Sequence, residues 1–364
     1  MKVKLDFRSS KPFTVGIELE IQLVDRGSFE LSESSEIVFS NASEGLKKLL
    51  HPELLTSMVE IVTPVCETPE EAVSHIKNAV KEIDLIGEDY GFRSAALGTH
   101  VFAKKETIHI TAKDRYLKLL EEFQILLKQF LIYGLHIHVG FPEKEMAIKA
   151  YNETLNNLPL FLAVSTSSPF FLGEFTGLNS FRTKIFEQLP RAGIPEYFDS
   201  YSDFEKLYFT LLENGFIQSI KDIWWDVRIH PDFGTVELRV CDSNPDMERI
   251  EFIATLFQAV CFYSSFSSGE RYFHQILKQN KWNATRYSVE GRFLYREGTV
   301  QIKKRIADII KELKKTDILK ELGTEKRMEK LSDIIGKKSI SQMMIEEYRK
   351  KGSIKELERF GFIE

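Results

Sequence analysis

Cysteine is scarce. Only Cys66, Cys241 and Cys261 occur in 364 residues, an odd number with no C-x-x-C spacing. That argues against a disulfide framework and against a zinc site, and it fits a reducing, cytoplasmic compartment. A strong excess of one charge is also missing. The 49 Lys plus Arg and 54 Asp plus Glu leave a net charge of −5, which argues against nucleic-acid binding by bulk electrostatics. The first residues, Met1-Lys2-Val3-Lys4-Leu5-Asp6, hold no apolar core of the kind a secretory leader needs. The uncharged run 154–173 approaches membrane-span length, but Asn156, Asn157, Pro159, Ser165-Thr166-Ser167-Ser168 and Pro169 interrupt it. A buried helix ending in a polar loop is expected there, not a membrane span. There is no G-x-x-x-x-G-K-[ST] loop and no G-x-S-x-G elbow, so neither a P-loop nor an elbow serine is available. Gly/Ser linkers and internal repeats are absent as well.

What is present is globular. Hydrophobic residues make up 43% and charged residues 28%, with 28 Phe to fill a core. V-G-I-E-L-E-I-Q-L (15–23) alternates: Ile17, Leu19, Ile21 and Leu23 on one face, Glu18, Glu20 and Gln22 on the other. A shorter strand candidate, 57–63, sets Glu60 opposite Val59 and Ile61. Thr68-Pro69-Glu70-Glu71 reads as a capping box opening a helix with Val73, Ile76, Val80 and Ile83 on its apolar stripe. A second helix is expected from about Asp114 to Ile132. Strands follow at 135–139, with His136 and His138 on one face, and at 235–240, with Glu237 and Arg239 on one face. A helix is expected from about Glu248 to Phe266, and a Lys/Glu-rich amphipathic stretch from Val300 onward breaks near Gly336. The simplest organisation is one α+β unit, residues 1–300, with a helical extension, 301–364, packed on it.

Charged outer faces are ordinary on half-solvated strands, and that alone explains either E-x-E or H-x-H. The combination points further. Glu18, Glu20, Glu60 and His136 on strand faces suit an oxygen-rich Mg²⁺ or Mn²⁺ site. A nearby arginine suits a phosphoryl group, because its planar fork donates two hydrogen bonds.

F-T-V-G-I-E-L-E-I-Q-L-V-D (13–25), S-M-V-E-I-V-T-P-V-C (57–66), G-L-H-I-H-V-G (134–140), S-S-P-F-F-L-G-E-F-T-G-L-N-S-F-R (167–182), I-W-W-D-V-R-I-H-P-D-F-G (223–234) and T-V-E-L-R-V-C-D (235–242) occur in this order. Together they resemble the glutamate–cysteine ligase type 2 family of carboxylate–amine ligases, over about Phe13 to Tyr295. The resemblance implies a glutamine-synthetase-like α+β fold, in which a curved, mostly antiparallel sheet forms a funnel with helices outside. It also implies ATP and about two or three divalent cations, Mg²⁺ or Mn²⁺. By position, Glu18, Glu20, Glu60, His136 and Glu237 resemble metal ligands, and Arg239 the phosphoryl clamp. Arg228 resembles a nucleotide contact, as does His138, which suits an orienting role better. Arg182, Asn283, Arg286 and His100 resemble substrate contacts, although Gly98-Thr99-His100 reads equally as a loop turn. Trp224-Trp225 suits either a nucleotide wall or the core.

Two departures from the family pattern are Phe175, where an Asp is expected in the G-x-D-T-G loop, and Val101, where a Pro is expected after His100. Both are expected to touch substrate rather than metal. The implied reaction joins an acid to an amine through an acyl phosphate, nominally glutamate to cysteine. Phosphoryl transfer to another acceptor, or a non-catalytic nucleotide or metal sensor, stays open. The partners implied are small molecules, with homo-oligomerisation undecided.

Overall fold

The computed structural model describes residues 4–104, 109–266, 270–296 and 298–363. The leader reading of Met1 to Val3 therefore lies outside the described residues.

One seven-stranded sheet organises the chain. Its strands, numbered among themselves, are β1 (Val15–Asp25), β2 (Leu50–Pro52), β3 (Met58–Val62), β4 (Phe92–Ala95), β5 (Gly134–Gly140), β6 (Val227–His230) and β7 (Thr235–Asp242). The order is β6-β7-β5-β1-β3-β2, with β4 paired to the far end of β1, and every pairing in this sheet is antiparallel. The register of β7 on β5 shifts between Leu238 and Cys241. Such an irregularity bends a strand and re-aims its side chains, here next to Arg239.

The alternation expected of β1, β3, β5 and β7 is observed. Ile17, Leu19, Ile21, Ile61, Leu135, Ile137, Val139, Val236 and Leu238 are all buried in one core. Burying one such side chain is worth about 1.5–3 kcal/mol. Helices cover that face: α1 (Pro69–Tyr90), α3 (Lys144–Ser165) and α5 (Met247–Phe266). From Ala147 on, α3 is buried almost all round, and it ends at Ser165 in a polar loop, as the uncharged run 154–173 suggests. No helix among the described residues is long and apolar enough to cross a membrane. Further helices used below are α2 (Asp114–Phe123), α4 (Arg182–Phe186), α6 (His274–Tyr287), α7 (Ile302–Leu313) and α8 (Ile340–Lys351).

Two local expectations need correction. The helix from 114 stops at Phe123 rather than reaching Ile132, because Gln124 turns to a φ of 49°. Beyond it Leu127, Phe130 and Ile132 pack into a second apolar cluster with Phe123 and Trp224, so their helical spacing reflects burial without a continuous helix. At the start of α1, Thr68 does accept from the Glu71 N–H, 3.3 Å, but the Glu71 carboxylate accepts from Glu67 N–H, 2.9 Å, and the reciprocal box is not closed.

The C-terminal segment returns to the sheet. Ile302, Ile306 and Leu313 of α7 join the main core, and the Ala96 N–H donates to Gly361 O, 2.7 Å. Ile340, Met344 and Leu357 pack on Leu97, Val101 and Phe170.

Candidate active site

Strand register assembles the site. Glu18 of β1 stands opposite His136 of β5, and Glu20 opposite Glu60 of β3. One strand further, His138 stands opposite Glu237 of β7, and Glu237 opposite Arg228 of β6. Side chains of one parity share one face of a sheet, so these groups meet on the side away from the core helices.

Over this face lies a cavity of about 520 Å³, lined by Glu18, Glu20, Glu60, His136, Arg182 and Arg239, among others. Arg228 reaches its wall, whereas Glu237, fully buried, and His138 lie beneath it.

Hydrogen bonds fix the layout. His136 Nδ1 donates to Glu18, 3.0 Å, and His138 Nε2 donates to the other Glu18 oxygen, 3.1 Å. His138 Nδ1 shares a bond with Thr235 Oγ1, 2.9 Å. His138 thus orients its neighbours and does not face the cavity. Arg228 gives Nε and Nη2 to Glu237, 2.8 and 2.7 Å, and Nη1 to the Ile220 and Ile223 carbonyls, 3.2 and 2.8 Å. These bonds make Arg228 the holder of Glu237, although it also lines the cavity where a nucleotide contact is expected of it. Arg239 donates Nη1 to the other Glu237 oxygen, while its buried Nε has no protein partner.

Charge divides the cavity. Burial alone would raise the Glu18 carboxyl, but the His138 charge and the bonds from both histidines hold it well below the usual range. Burial is likewise overcome at Glu237 by Arg228, Arg239 and His138, which keep it ionised. His138 is raised, because Glu237 and Glu18 outweigh its burial; His136 is lowered by burial and then by Arg239. The opposite end is crowded with anions. Burial, then the charges of Glu18, Glu53 and Glu20, push Glu60 well up. Glu53, just after β2, is pushed up to about 7 by burial and Glu20.

Like charges placed directly opposite on adjacent strands are unfavourable, as Glu20 and Glu60 are here. A divalent cation relieves that cost. Two donor sets can take one, Glu18–His136–Glu237 and Glu20–Glu60–His136, each with its donor atoms within 4.8 Å of one another. Oxygen donors with a single imidazole fit Mg²⁺ or Mn²⁺.

Arg182 opens α4 and is buried. Its Nη groups make long bonds to the Arg239 and Val240 carbonyls, 3.4 and 3.5 Å, and its buried Nε has no protein partner. Asp242, at the end of β7, accepts from Ser167 N–H, Ser168 Oγ and Ser180 Oγ, 3.0, 2.7 and 2.8 Å. It thereby holds both ends of the loop that delivers Arg182.

Other expected contacts lie elsewhere. His100 is fully buried off the cavity: its Nδ1 accepts from the Ala103 N–H, 2.8 Å, so its Nε2 donates to Phe29 O, 2.9 Å. Asn283 donates to Arg292 O, 2.7 Å, and Arg286 lies over Tyr287; neither lines the cavity. Lys281 of the same helix, α6, is buried between Asp226, just before β6, and Glu187, just after α4, at 2.5 Å each. The departures Phe175 and Val101, expected to touch substrate, face the C-terminal segment. Phe175 lies beside Tyr348, and the Val101 N–H donates to Glu358, 3.0 Å.

Glu53, Tyr116, Trp224, His230 and Phe233 also line the cavity. Trp224 lines the cavity and packs in the second apolar cluster at once, while Trp225 packs on Phe198 and Phe204. Glu53, in H-P-E-L-L, sits outside any alternating pattern, and no sequence signal marks it.

Comparison with known proteins gives the family and the fold. The model of the glutamate–cysteine ligase family 2 matches residues 14–359. A provisionally named glutamate–cysteine ligase 2 of Herpetosiphon aurantiacus is 34% identical over 351 residues, covering 94% of this chain and 91% of its own. One of the same provisional name in Chloroflexus aggregans is 36% identical over 330 residues, 89% and 84% of the two chains. Among solved structures, a glutamate–cysteine ligase of Francisella tularensis in complex with AMP superposes with a TM-score of 0.65 at 14% identity, covering 98% of this chain and 89% of that one. A bifunctional glutathione synthetase of Pasteurella multocida gives 0.71 at 12% identity over 96% of this chain, which spans about half, 52%, of that enzyme. The fold is glutamine-synthetase-like. With a family model matched from Thr14 to Arg359 and relatives alike over nearly their whole lengths, the chain belongs to the glutamate–cysteine ligase family 2.

Proposed function

We propose that this protein is an ATP-dependent carboxylate–amine ligase working through an acyl phosphate, nominally joining glutamate to cysteine. One observation carries the reading. Two metal-donor sets share His136 on the floor of a cavity that Arg239 and Arg182 also line. Guanidinium groups beside carboxylate-rich metal positions suit a polyanionic, phosphate-bearing substrate.

Glu18, Glu20, Glu60, His136 and Glu237 would hold Mg²⁺ or Mn²⁺, with Glu53 beside them. When bound, such cations offset the triphosphate charge. A carboxylate does not form an amide in water unaided. An oxygen of the acid attacks the γ-phosphorus, the bond to ADP breaks, and an acyl phosphate forms. The amine nitrogen then attacks the acyl carbon, loses its proton and releases phosphate. Arg239, fixed by Glu237, donates to the phosphoryl oxygens as charge moves onto them. Arg228, at the wall, holds Glu237 so that Arg239 is aimed. Arg182 binds the carboxylate of the acid or a phosphate. An acyl phosphate hydrolyses when exposed, so the reaction needs the cavity shielded from water while the intermediate stands. Three buried free cysteines suit a reducing cytoplasm.

The test is phosphate release from ATP with Mg²⁺, screened over amino acids singly and in pairs. Release that needs both an acid and an amine, with formation of the amide, is expected. Release with one acceptor alone would make the enzyme a kinase, and no release despite tight ATP binding would make it a sensor.

A further inference from the structure

A second cluster of ligating side chains lies outside the cavity, where β3 hands over to α1. Cys66 precedes the Thr68 cap, and Glu71 and His75 follow in the first two turns. The two helical residues are four apart, so they lie on one face of α1. One donor atom from each of Cys66, Glu71 and His75 lies within 4.8 Å of the others. None of the three lines the cavity.

We infer that Cys66, Glu71 and His75 form a separate binding site for a thiophilic divalent cation of the Zn²⁺ kind. One sulfur, one imidazole nitrogen and one carboxylate oxygen are the donors Zn²⁺ takes in tetrahedral sites, and three protein ligands leave a fourth position for water. A thiolate is a poor ligand for Mg²⁺ or Mn²⁺, so the same donors discriminate against the ions suited to the cavity. The three cysteines by themselves argue against a zinc site because no two are near each other in sequence. A mixed Cys–Glu–His set needs only one cysteine and does not depend on that spacing.

The anchoring is uneven in a useful way. Cys66 is buried and fixed by mutual backbone bonds to Val15, 2.8 Å each way. His75 is half-buried and Glu71 exposed, so both side chains are free to close on an ion over the fixed sulfur. Glu71 must then share or release the bond it accepts from Glu67 N–H, 2.9 Å. The Cys66 thiol donates to Pro64 O at 3.3 Å. On binding, its S–H bond breaks, the proton passes to solvent, and the electron pair left on sulfur forms the bond to the metal. Binding therefore strengthens as pH rises. It also ties the N-terminal turn of α1 to the entry of β1, three residues before Glu18, and raises the unfolding temperature by binding the folded state only.

The probe is Co²⁺, added to the full-length protein in saturating Mg²⁺ so that the cavity carboxylates are occupied. The expected result is one equivalent of tetrahedral Co²⁺ with a sulfur-to-cobalt charge-transfer band, displaced by Zn²⁺. Cys66→Ser should abolish the band. His75→Gln changes a helix-surface residue, so the protein should fold normally and bind about tenfold or more weakly. A parent protein without the charge-transfer band overturns the inference. So does a band that survives Cys66→Ser, or His75→Gln binding Co²⁺ with parental affinity.

Discussion

Glu237 is the residue on which this cavity turns. It is fully buried, and Arg228 and Arg239 take its two oxygens. Removing one partner of a buried ion pair costs about 3–5 kcal/mol, because the remaining charge is left uncompensated. Glu237→Gln is therefore expected to do two things: weaken Mg²⁺ and ATP binding, and lower stability by up to about that amount. Calorimetric metal titration and denaturant melts separate the two. Unchanged stability would mean that the arginines have other acceptors. Arg239→Lys keeps a cation beside Glu237 but loses the planar fork. ATP binding should stay near the parental value while turnover falls by about 10³-fold or more, the scale for arginines that stabilise a transferring phosphoryl. Single-turnover kinetics against ATP affinity is the measurement. Turnover at the parental rate would remove Arg239 from the chemistry.

Secondary-structure elements bring these residues together, and β5 shows how tightly. Its first residue is a glycine against which the site is packed. A Cβ at position 134 would collide with the Arg182 guanidinium and stand 3.0 Å from His136 Nε2. The Gly134 N–H also donates to Glu20. Gly134→Ala should displace the Arg182 guanidinium, the far end of a flexible side chain, and so act on the site more than on stability. Steady-state kinetics should show a raised KM for the ligand that Arg182 binds, ahead of any loss explained by unfolding. A parental KM would place that ligand away from Arg182. The register shift in β7 is the other device at this scale: pairing with β5 breaks between Leu238 and Cys241, while the Arg239 N–H keeps the β6 side of the ladder and donates to Asp226 O, 2.8 Å.

At the scale of the whole molecule, the C-terminal segment closes the back of the loop at His100. Burial pushes the Glu358 carboxyl up to about 8 and the His100 imidazole down to about 4. The bonds that His100 Nδ1 accepts agree with a neutral ring. A carboxyl raised in the folded state contributes fully below its unfolded value, near 4.5, and that contribution is lost as pH rises through about 8. The imidazole has the opposite sign: its contribution is present above about 6.5 and lost as pH falls through about 4. Glu358→Gln removes the first effect and leaves the second. Its stability relative to the parent should therefore rise steadily between about pH 5 and 8, measured by urea unfolding at each pH. A difference independent of pH would mean that Glu358 is ionised throughout. Truncation before Ser339 should uncover Leu97, Val101 and Phe170. A lower unfolding temperature and aggregation are expected, whereas an unchanged one would make the segment dispensable to folding.

Much of the site was readable from local pattern. Period-two alternation put Glu18 and Glu20, His136 and His138, and Glu60 on strand faces opposite the core, because successive side chains must point to opposite sides of a sheet. Helix α1, its Thr68 cap and the uncharged buried helix followed from equally local rules. The sequence alone thus determined which residues could face a cavity and which had to face the core. Tertiary structure decided which of them meet. Pairing Glu18 with His136 joins residues 118 apart, and only the common burial of the apolar face sets that register. The same packing spent Arg228 on Glu237, turned His100 toward Phe29 and brought Glu53 to the cavity from a turn with no periodic signal. Charge partners, burial and close approach are properties of the folded neighbourhood, and no local spacing encodes them.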